Sequence, residues 1–312
     1  MGRLNLRNLD YEKVFNVMVE STALYIKENG LKCMVLGISG GIDSSVTACI
    51  CHKVSEKYNI PLIGVSLPCS TNKEDEVSTA SLIGKEFCDE FYEVNLQSLF
   101  ENAECVFNSI GLESTPISQG NIKARLRGNF LYNIAGIKKG IVMDTDMVTE
   151  NMLGFWTISG DECDFNPIGE LWKHEVYLLA EYIFNNVYKN SEGLKKSIEL
   201  IPTDGNGVSN SDLEQIAPGY TYDDVDRVLY EWSQKDKNEQ QKIYGMLQSG
   251  NFDFIATAAG MSDKFLVMLK NLLKRVMNSE FKRKQRPLII DINNGNVCEK
   301  NGEIYKDYRN LV

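Results

Sequence analysis

The sequence lacks the features that mark a membrane protein, a secreted protein or a nucleic-acid-binding protein. No run of 18 or more uncharged apolar residues occurs, and no apolar segment follows the first residues as a secretory signal requires. The eight cysteines include no C-x-x-C pair, so we expect buried free thiols rather than zinc ligands or disulfides. Net positive charge is also absent, since the formal charge is −10, which disfavours nucleic acid as the main partner. These absences predict a soluble protein of the reducing cytoplasm.

The length and the hydrophobic content predict a folded α/β protein. The 312 residues, 43% of them hydrophobic, are enough to bury a substantial core. After an amphipathic helix over about 11–29, strands and helices are predicted to alternate, which is typical of a parallel sheet with helices on both faces. The predicted strands are 32–37, 61–67, 91–95 and 140–144. The predicted helices between them are 44–58, 73–89, 97–110 and 120–138.

The second half of the chain is predicted to be mainly helical. Helices are expected near 170–185, 222–248 and 262–281. We therefore expect one domain, in which residues 1–170 form the α/β core and residues 171–312 form a mainly helical part. The stretch 202–211 is rich in glycine and small polar residues and offers little to bury, so we expect a mobile loop able to close over a substrate.

One segment after the first predicted strand is suited to hold a phosphate. Its sequence is Gly37-Ile38-Ser39-Gly40-Gly41-Ile42-Asp43-Ser44, and it leads directly into the next predicted helix. Adjacent glycines let the backbone approach a ligand, serine hydroxyls donate hydrogen bonds, and the helix N-terminus presents unpaired N–H groups. A carboxylate repels a phosphate unless a cation lies between them, so we expect Asp43 to bind Mg2+. The segment therefore predicts a site for a nucleotide and a metal.

The spacing of this loop distinguishes it from two commoner phosphate-binding loops. No lysine follows the glycines as in G-x-x-x-x-G-K-[ST], and no G-x-G-x-x-G dinucleotide fingerprint occurs. The loop resembles instead the SGGxDS loop of the PP-loop ATP pyrophosphatases, whose fold is adenine-nucleotide α-hydrolase-like. This resemblance implies that residues 37–44 bind ATP, and that ATP is split between its α and β phosphates to leave an adenylated substrate.

A second motif narrows the resemblance to one family. The segment Asn121-Ile122-Lys123-Ala124-Arg125-Leu126-Arg127, expected at the start of a helix, matches an N-x-K-A-R-x-R signature. With the loop, it resembles ammonia-dependent NAD synthetase over roughly residues 11–287. The resemblance implies a homodimeric ligase that converts deamido-NAD to NAD with ATP, Mg2+ and ammonia. It also implies that Arg125 binds deamido-NAD. The apolar face of helix 120–138 could serve as subunit interface or as core.

The resemblance also implies which residues bind ATP and the metal. Thr145, Lys173 and Thr203 fall on ATP-binding positions of the family. Glu150 falls on the second carboxylate that binds Mg2+, together with Asp43. The catalytic residues are therefore expected to be Asp43, Glu150 and Lys173.

On the deamido-NAD side the match is less complete. Asp164 and Lys282 fall on family positions that contact this substrate. Three positions depart from the family pattern: Asp144 replaces a glycine, Ile158 a lysine and Phe281 a histidine. The loss of a cation at 158 removes an expected anion contact, and the added carboxylate at 144 is expected to make the crevice more negative.

The nitrogen donor can be inferred from what a glutaminase would require. Such an activity needs an activated cysteine, but no cysteine precedes Cys33, and the only histidines are His52 and His174. We expect ammonia as the donor, either free or delivered by another protein. Two alternatives to this function stay open. One is another PP-loop adenylating enzyme, such as one that modifies a tRNA base, and the other is a non-catalytic sensor of ATP or deamido-NAD.

Overall fold

The structure is a computed structural model, and it describes residues 6–203, 213, 217–249 and 263–284 together with three short strands beyond them. The chain forms two compact units. The first contains Met1–Thr149 and Trp156–Lys237, and the second contains Glu150–Phe155 and Asn238–Val312. The division into a core over 1–170 and a helical part over 171–312 stays a prediction. In the described part of the chain, no helix combines the length and the apolar character that crossing a membrane would take.

The first unit is built on a four-stranded parallel sheet, as the sequence predicted. The strands are β1 Met34–Gly37, β2 Leu62–Ser66, β3 Glu90–Glu93 and β4 Ile141–Met143. Their order is β3-β2-β1-β4, and every neighbouring pair is parallel. Because Gly37 pairs with Val65 and Leu36 with Met143, the C-terminal ends of β1, β2 and β4 meet at one edge. The segments that follow these three strands therefore all start at that edge.

Helices cover both faces of this sheet. Alternate strand residues point to opposite faces, and both sets are buried because hydrophobic residues occupy every position of β1 and β2 except three small ones. Met34 and Leu36 belong to the core on one side, whereas Val35, Ile63 and Val65 belong to the core on the other. The side-chain packing thus confirms the predicted arrangement.

Most helices of the first unit agree with the predictions except at their ends, but two short ones, Val148–Leu153 and Glu192–Glu199, were not predicted. Their bounds are α1 Tyr11–Glu28, α2 Ile42–Tyr58, α3 Glu74–Phe87, α4 Gln97–Ser109, α5 Pro116–Lys138, α6 Val148–Leu153, α7 Lys173–Tyr182, α8 Glu192–Glu199 and α9 Tyr222–Ser233, with α6 continuing into the second unit. The helix predicted over 120–138 starts four residues earlier. Thr115 caps it by accepting a hydrogen bond from the Ser118 N–H (3.2 Å), and Pro116 suits its first position.

The predicted helix over 170–185 also has different ends. It begins only at Lys173, and it continues after Tyr182 as a π-helical turn, Ile183–Val187. The predicted helix over 222–248 is two helices, because α9 ends at Ser233 and the next helix, α10, begins at Lys237.

The second unit contains further helices and a small antiparallel sheet. They are α10 Lys237–Gln248, α11 Asp263–Asn278 and a 3-10 turn, Glu280–Arg283. Three short strands follow, β5 Ile289–Ile290, β6 Val297–Cys298 and β7 Ile304–Lys306, which pair in that order. No strand was predicted in this part of the chain. Segments of two or three residues are too short to show the alternation by which strands are recognised.

Candidate functional site

The loop between β1 and α2 has the backbone that a phosphate site requires. Gly40 has a φ of +84°, a region that glycine enters without steric cost. A Cβ at this position would lie 2.2 Å from the carbonyl oxygen of Glu76 and 3.0 Å from the backbone nitrogen of Ala80. The loop can therefore pack this closely on α3 only because residue 40 is glycine.

The N-terminus of α2 is open toward a ligand. Its N-cap residue is Gly41, and no side chain in the described part of the chain caps it. The serine hydroxyls hold the loop itself: the Ser39 and Ser44 oxygens are 2.9 Å apart, and the Ser45 hydroxyl donates to the Gly41 carbonyl at 2.8 Å. The serines were expected to donate to a phosphate, whereas here their bonds lie within the loop. The unpaired N–H groups of the first helical turn remain as the anion-binding element.

The structure joins two predicted site residues that lie far apart in the sequence. The ammonium of Lys173 donates to Oδ2 of Asp43 at 2.5 Å, and the lysine side chain is only 2% exposed. The other carboxylate oxygen, Oδ1, is buried and makes no hydrogen bond within the described residues. A buried carboxylate oxygen without a partner is costly, and a hard cation would satisfy it. Asp43 therefore suits Mg2+ through Oδ1 while Lys173 holds Oδ2.

Two residues that no motif singled out hold the start of α7, where Lys173 lies. The hydroxyl of Thr149 accepts the backbone N–H of Lys173 at 3.0 Å and donates to Oδ1 of Asp226 at 2.5 Å. Oδ2 of Asp226 accepts both the backbone N–H and Nδ1 of His174, each at 2.8 Å. Asp226 is fully buried, and this burial raises the pKa of its carboxyl group. The order Thr-Glu and an aspartate in a helix carry no recognisable pattern, so the sequence alone did not reveal them.

The three cations of the second motif have different surroundings. Lys123 is buried, bonds Thr71 at 3.2 Å and lies 4.7 Å from the ring centre of Phe100. Arg127 donates to the carbonyl of Leu67 at 3.1 Å. Both residues therefore hold the segment that follows β2. Arg125 is exposed, so of the three it is the one best placed to meet a ligand.

Arg125 touches one of the positions that depart from the family pattern. Its Nε and Nη2 both donate to the backbone carbonyl of Ile158 at 3.3 Å. A long contact to one neutral carbonyl is weaker than the bidentate pair that a guanidinium forms with a carboxylate or phosphate. An anion could therefore take the place of this carbonyl at low cost.

The carboxylate at 144 is part of the loop structure rather than the crevice lining that was expected. Asp144 is 7% exposed, and its oxygens accept the backbone N–H groups of Asp146 at 2.7 Å and Cys163 at 2.8 Å. The side chain of Asn166 adds a third hydrogen bond, at 3.1 Å. Burial raises the pKa of Asp144, while the backbone hydrogen bonds oppose this rise. The carboxylate therefore ties the loop after β4 to the segment around residue 163.

The predicted deamido-NAD contacts also have partners in the protein. Asp164 is exposed, and its oxygens accept the Tyr132 hydroxyl and the Val142 N–H, each at 3.2 Å. In the second unit, the Lys282 ammonium donates to the carbonyl of Gly154 at 2.8 Å. The roles of both residues in substrate binding stay predictions.

The remaining predicted residues are distributed over three elements. Thr145 is the second residue after β4, at the sheet edge where the loop after β1 also starts. Thr203 bonds the side chain of Glu76, the residue whose carbonyl packs on Gly40. Glu150 lies in α6 within the second unit, and its approach to Asp43 stays a prediction. Residues 204–211 of the predicted mobile loop lie outside the described residues.

The described residues contain no cluster of three or more His, Cys, Asp or Glu side chains able to hold a metal ion by themselves. A magnesium site usually takes one or two carboxylates and completes its shell with water and substrate phosphates. The donor set predicted here, Asp43 with Glu150, is of this kind.

Comparison with known proteins agrees with the two motifs. Residues 14–286 match the family model described as NAD synthase. The NH3-dependent NAD+ synthetase of Helicobacter pylori strain 26695 is 30% identical over 275 residues, which are 88% of this chain and 94% of that protein. The NH3-dependent NAD+ synthetase of Campylobacter jejuni serotype O:2 is 29% identical over 222 residues, or 71% of this chain and 83% of that protein.

Solved structures show the same fold. The NH3-dependent NAD synthetase of Campylobacter jejuni, in complex with the nitrate ion, has a TM-score of 0.63 at 25% identity, with 91% of this chain and 100% of that chain covered. The NMN synthetase of Francisella tularensis has a TM-score of 0.69 at 23% identity, covering 90% of this chain and 99% of that chain. At that identity the second likeness supports the fold alone.

Proposed function

The chain belongs to the NAD synthase family, and from this membership we propose that it amidates deamido-NAD to NAD with ATP and ammonia, releasing AMP and pyrophosphate. The observation that carries the proposal is the pairing of Lys173 with Asp43 at the open N-terminus of α2. It brings a buried cation, and a carboxylate whose Oδ1 has no hydrogen-bond partner among the described residues, to the loop whose sequence is suited to hold the phosphates of ATP.

The first step activates the nicotinate carboxyl group. The unpaired N–H groups of α2 and the ammonium of Lys173 would hold the ATP phosphates. One carboxylate oxygen of the substrate attacks the α-phosphorus, so that an acyl-adenylate forms and pyrophosphate leaves. Asp43 and Glu150 would hold Mg2+, which when bound neutralises phosphate charge. In this step the protein positions the reactants and stabilises charge, and it needs no covalent nucleophile.

The second step forms the amide. Ammonia attacks the activated carbonyl carbon. The bond from this carbon to the phosphate oxygen breaks, AMP leaves with the electron pair of that bond, and a proton is lost to solvent. Arg125, Asp164 and Lys282 would orient deamido-NAD for this reaction. Arg125 is the best candidate for this role, because it is exposed and its hydrogen bonds to the described residues are two long ones to the carbonyl of Ile158.

The two histidines support ammonia rather than glutamine as the donor. His52 is bonded to the carbonyl of Phe87 at 2.8 Å, and His174 is buried against Asp226. Burial raises the pKa of the Cys51 thiol, so the residue next to His52 is a poor nucleophile. Neither histidine thus supports the cysteine activation that a glutaminase requires.

A homodimer and a cytoplasmic location belong to the same proposal. Exposed apolar side chains gather on α4, the start of α5 and the turn between them, a feature that marks protein–protein interfaces; they are Val106, Phe107, Ile110, Leu112 and Ile117. Ile117→Glu should therefore convert a dimer to monomers in sedimentation experiments. The cytoplasmic location is supported by the burial of the thiols of Cys33, Cys49, Cys51 and Cys69.

The direct test is an assay with ATP, Mg2+ and deamido-NAD, with either ammonium chloride or glutamine as the nitrogen source. Equal amounts of NAD and AMP with ammonium, and none with glutamine, would support both the reaction and the donor. A parallel reaction should contain the carboxylate precursor of NMN, because one structural relative is an NMN synthetase. Faster turnover of that precursor would reassign the substrate. Binding of deamido-NAD without turnover would favour the sensor alternative.

A further inference from the structure

The first turn of α7 is unusual because it buries three consecutive ionisable residues. Lys173 is 2% exposed, and His174 and Glu175 are fully buried. Lysine and glutamate are almost never fully buried unless they are paired. A lysine is also unfavourable at the first position of a helix, where the macrodipole is positive. This turn is therefore not what local helix preference would produce, and other parts of the protein must hold it.

Only half of the usual cap for such a turn is present: Oε2 of Glu175 accepts the backbone N–H of Trp172 at 3.0 Å. The N-cap residue is Trp172, whose side chain has no hydrogen-bond acceptor, and no side-chain cap comes from it. The first two N–H groups of the helix are satisfied by residues distant in sequence. Thr149 accepts the N–H of Lys173 at 3.0 Å, and Asp226 accepts that of His174 at 2.8 Å. These two side chains therefore cap the N-terminus of the helix.

The two capping residues form one connected network. The Thr149 hydroxyl has a single proton, and that proton goes to Oδ1 of Asp226 at 2.5 Å. The hydroxyl oxygen is thereby turned toward the N–H of Lys173. Asp226 is itself fixed by Nδ1 of His174 at 2.8 Å, which carries the proton because a carboxylate only accepts. The negative charge of Asp226 also suits a helix N-terminus.

We propose that Thr149 and Asp226 are positioning residues that cap α7 and so hold the Lys173 ammonium on Asp43. This inference rests on the proposed function only in that Lys173 and Asp43 serve ATP binding. The lysine stem has four rotatable bonds, so the position of its ammonium depends on a fixed first turn. Without the cap the turn frays and Lys173 loses its defined contact with Asp43 and with phosphate.

The test is the affinity for ATP in the presence of Mg2+, measured by calorimetry without deamido-NAD or ammonia. Thr149→Val keeps the shape but removes the hydroxyl, and it should weaken ATP binding about tenfold. Thr149→Ser restores the hydroxyl and should bind within about twofold of wild type. Thr79→Val is the matched control, since Thr79 is equally buried but its hydroxyl has no partner among the described residues.

A double-mutant cycle separates positioning from general destabilisation. If Thr149 acts through Lys173, then Thr149→Val should add almost nothing to the loss caused by Lys173→Met. Asp226→Asn offers a second variant if Thr149→Val does not fold, because it keeps the shape and one acceptor oxygen; it should show the same lack of additivity. Additive losses, or a Thr149→Val variant that binds ATP as Thr79→Val does, would overturn the proposal.

The same experiment distinguishes failure of this inference from failure of the proposed function. ATP affinity is read without turnover, so a wild-type protein that makes no NAD can still give the predicted pattern among its variants. Conversely, an active synthetase in which Thr149→Val and Asp226→Asn bind ATP like wild type would keep its function and refute the positioning role.

Discussion

The N-termini of α2 and α7 meet at one ion pair but are built in opposite ways. The start of α2 follows glycines, has no capping side chain among the described residues, and carries Asp43 in its first turn. The start of α7 is filled by protein partners, with Thr149 and Asp226 bonded to its first two N–H groups. The Asp43–Lys173 contact of 2.5 Å connects the two ends.

This difference suits the two helix N-termini to different roles: that of α2 can bind an anion, and that of α7 can fix a lysine. An open helix end leaves N–H groups for an anion, and a phosphate can be bound there without displacing a side chain. A closed end cannot bind an anion through its backbone, but it can fix a buried lysine that faces the same anion. We therefore expect changes at the open end to affect turnover most, and changes at the closed end to affect ATP binding and stability together.

The largest effect is expected from Asp43→Asn. The variant should fold but lose Mg2+-dependent turnover by roughly 10³-fold, because an amide is a much weaker magnesium ligand than a carboxylate. Turnover would be measured as NAD and AMP formation, and folding by thermal denaturation. The matched control is Asp75→Asn, which changes an exposed aspartate at the same second position of α3. Equal activities of the two variants would show that Asp43 does not bind a catalytic metal.

A smaller effect, about 10²-fold on the affinity for ATP, is expected from Lys173→Met. The change also leaves a carboxylate that is 17% exposed without its cation, which should lower the free energy of unfolding by about 3 kcal/mol. The double variant Lys173→Met with Asp43→Asn should recover most of that stability and none of the activity. A double variant that is less stable than Lys173→Met alone would contradict the ion pair.

Gly40→Ala tests the close packing of the open end on α3. The added Cβ would meet a carbonyl oxygen at 2.2 Å and take a φ of +84°, so unfolding free energy should fall by about 3 kcal/mol. Gly30→Ala provides the control, because its φ is +66° but no atom lies within 4 Å of the added carbon. It should cost only about 1 kcal/mol. Chemical denaturation measures both values, and similar losses would show that the contact with Glu76 does not matter.

The smallest of these effects is expected outside both helix ends, from Arg125→Ala. Affinity for deamido-NAD should fall about tenfold, because one charged hydrogen-bonding group is lost, while ATP affinity and stability stay unchanged. Calorimetry with each ligand separates the two. Arg127→Ala should instead lower stability, since that residue bonds Leu67 and Asn72. Unchanged deamido-NAD affinity in Arg125→Ala would contradict the role assigned to it.

The start of α2 could be predicted from the sequence, whereas the start of α7 could not. The start of α2 is local: the glycines, Asp43 and the following helix are consecutive residues, so one short motif predicted the turn and the helix that the structure has. The phosphate ligand that the same motif predicted stays a prediction. The sheet was predictable for a related reason, since its strands are continuous hydrophobic runs with helices between them. Lys173 was predicted only through the family pattern, and its contact with Asp43 joins positions 130 residues apart.

The closed end could not be predicted, because its parts are ordinary residues brought together by the fold. Asp226 lies in α9 and Thr149 precedes Glu150, and neither position carries a spacing that marks a cap. Asp144 shows the reverse case. As a departure from the family pattern it pointed to altered ligand binding, yet its oxygens accept the N–H groups of Asp146 and Cys163. The residue type alone does not reveal whether a carboxylate binds a ligand or stabilises a loop through hydrogen bonds.

We propose that the two helix ends bind ATP so that its α-phosphorus can be attacked by the substrate carboxylate. The most direct measurement is the exchange of labelled pyrophosphate into ATP, without ammonia. Exchange is expected only when deamido-NAD and Mg2+ are both present, and it should be lost in Asp43→Asn. Exchange without deamido-NAD, or no exchange although ATP and deamido-NAD both bind, would contradict this proposal.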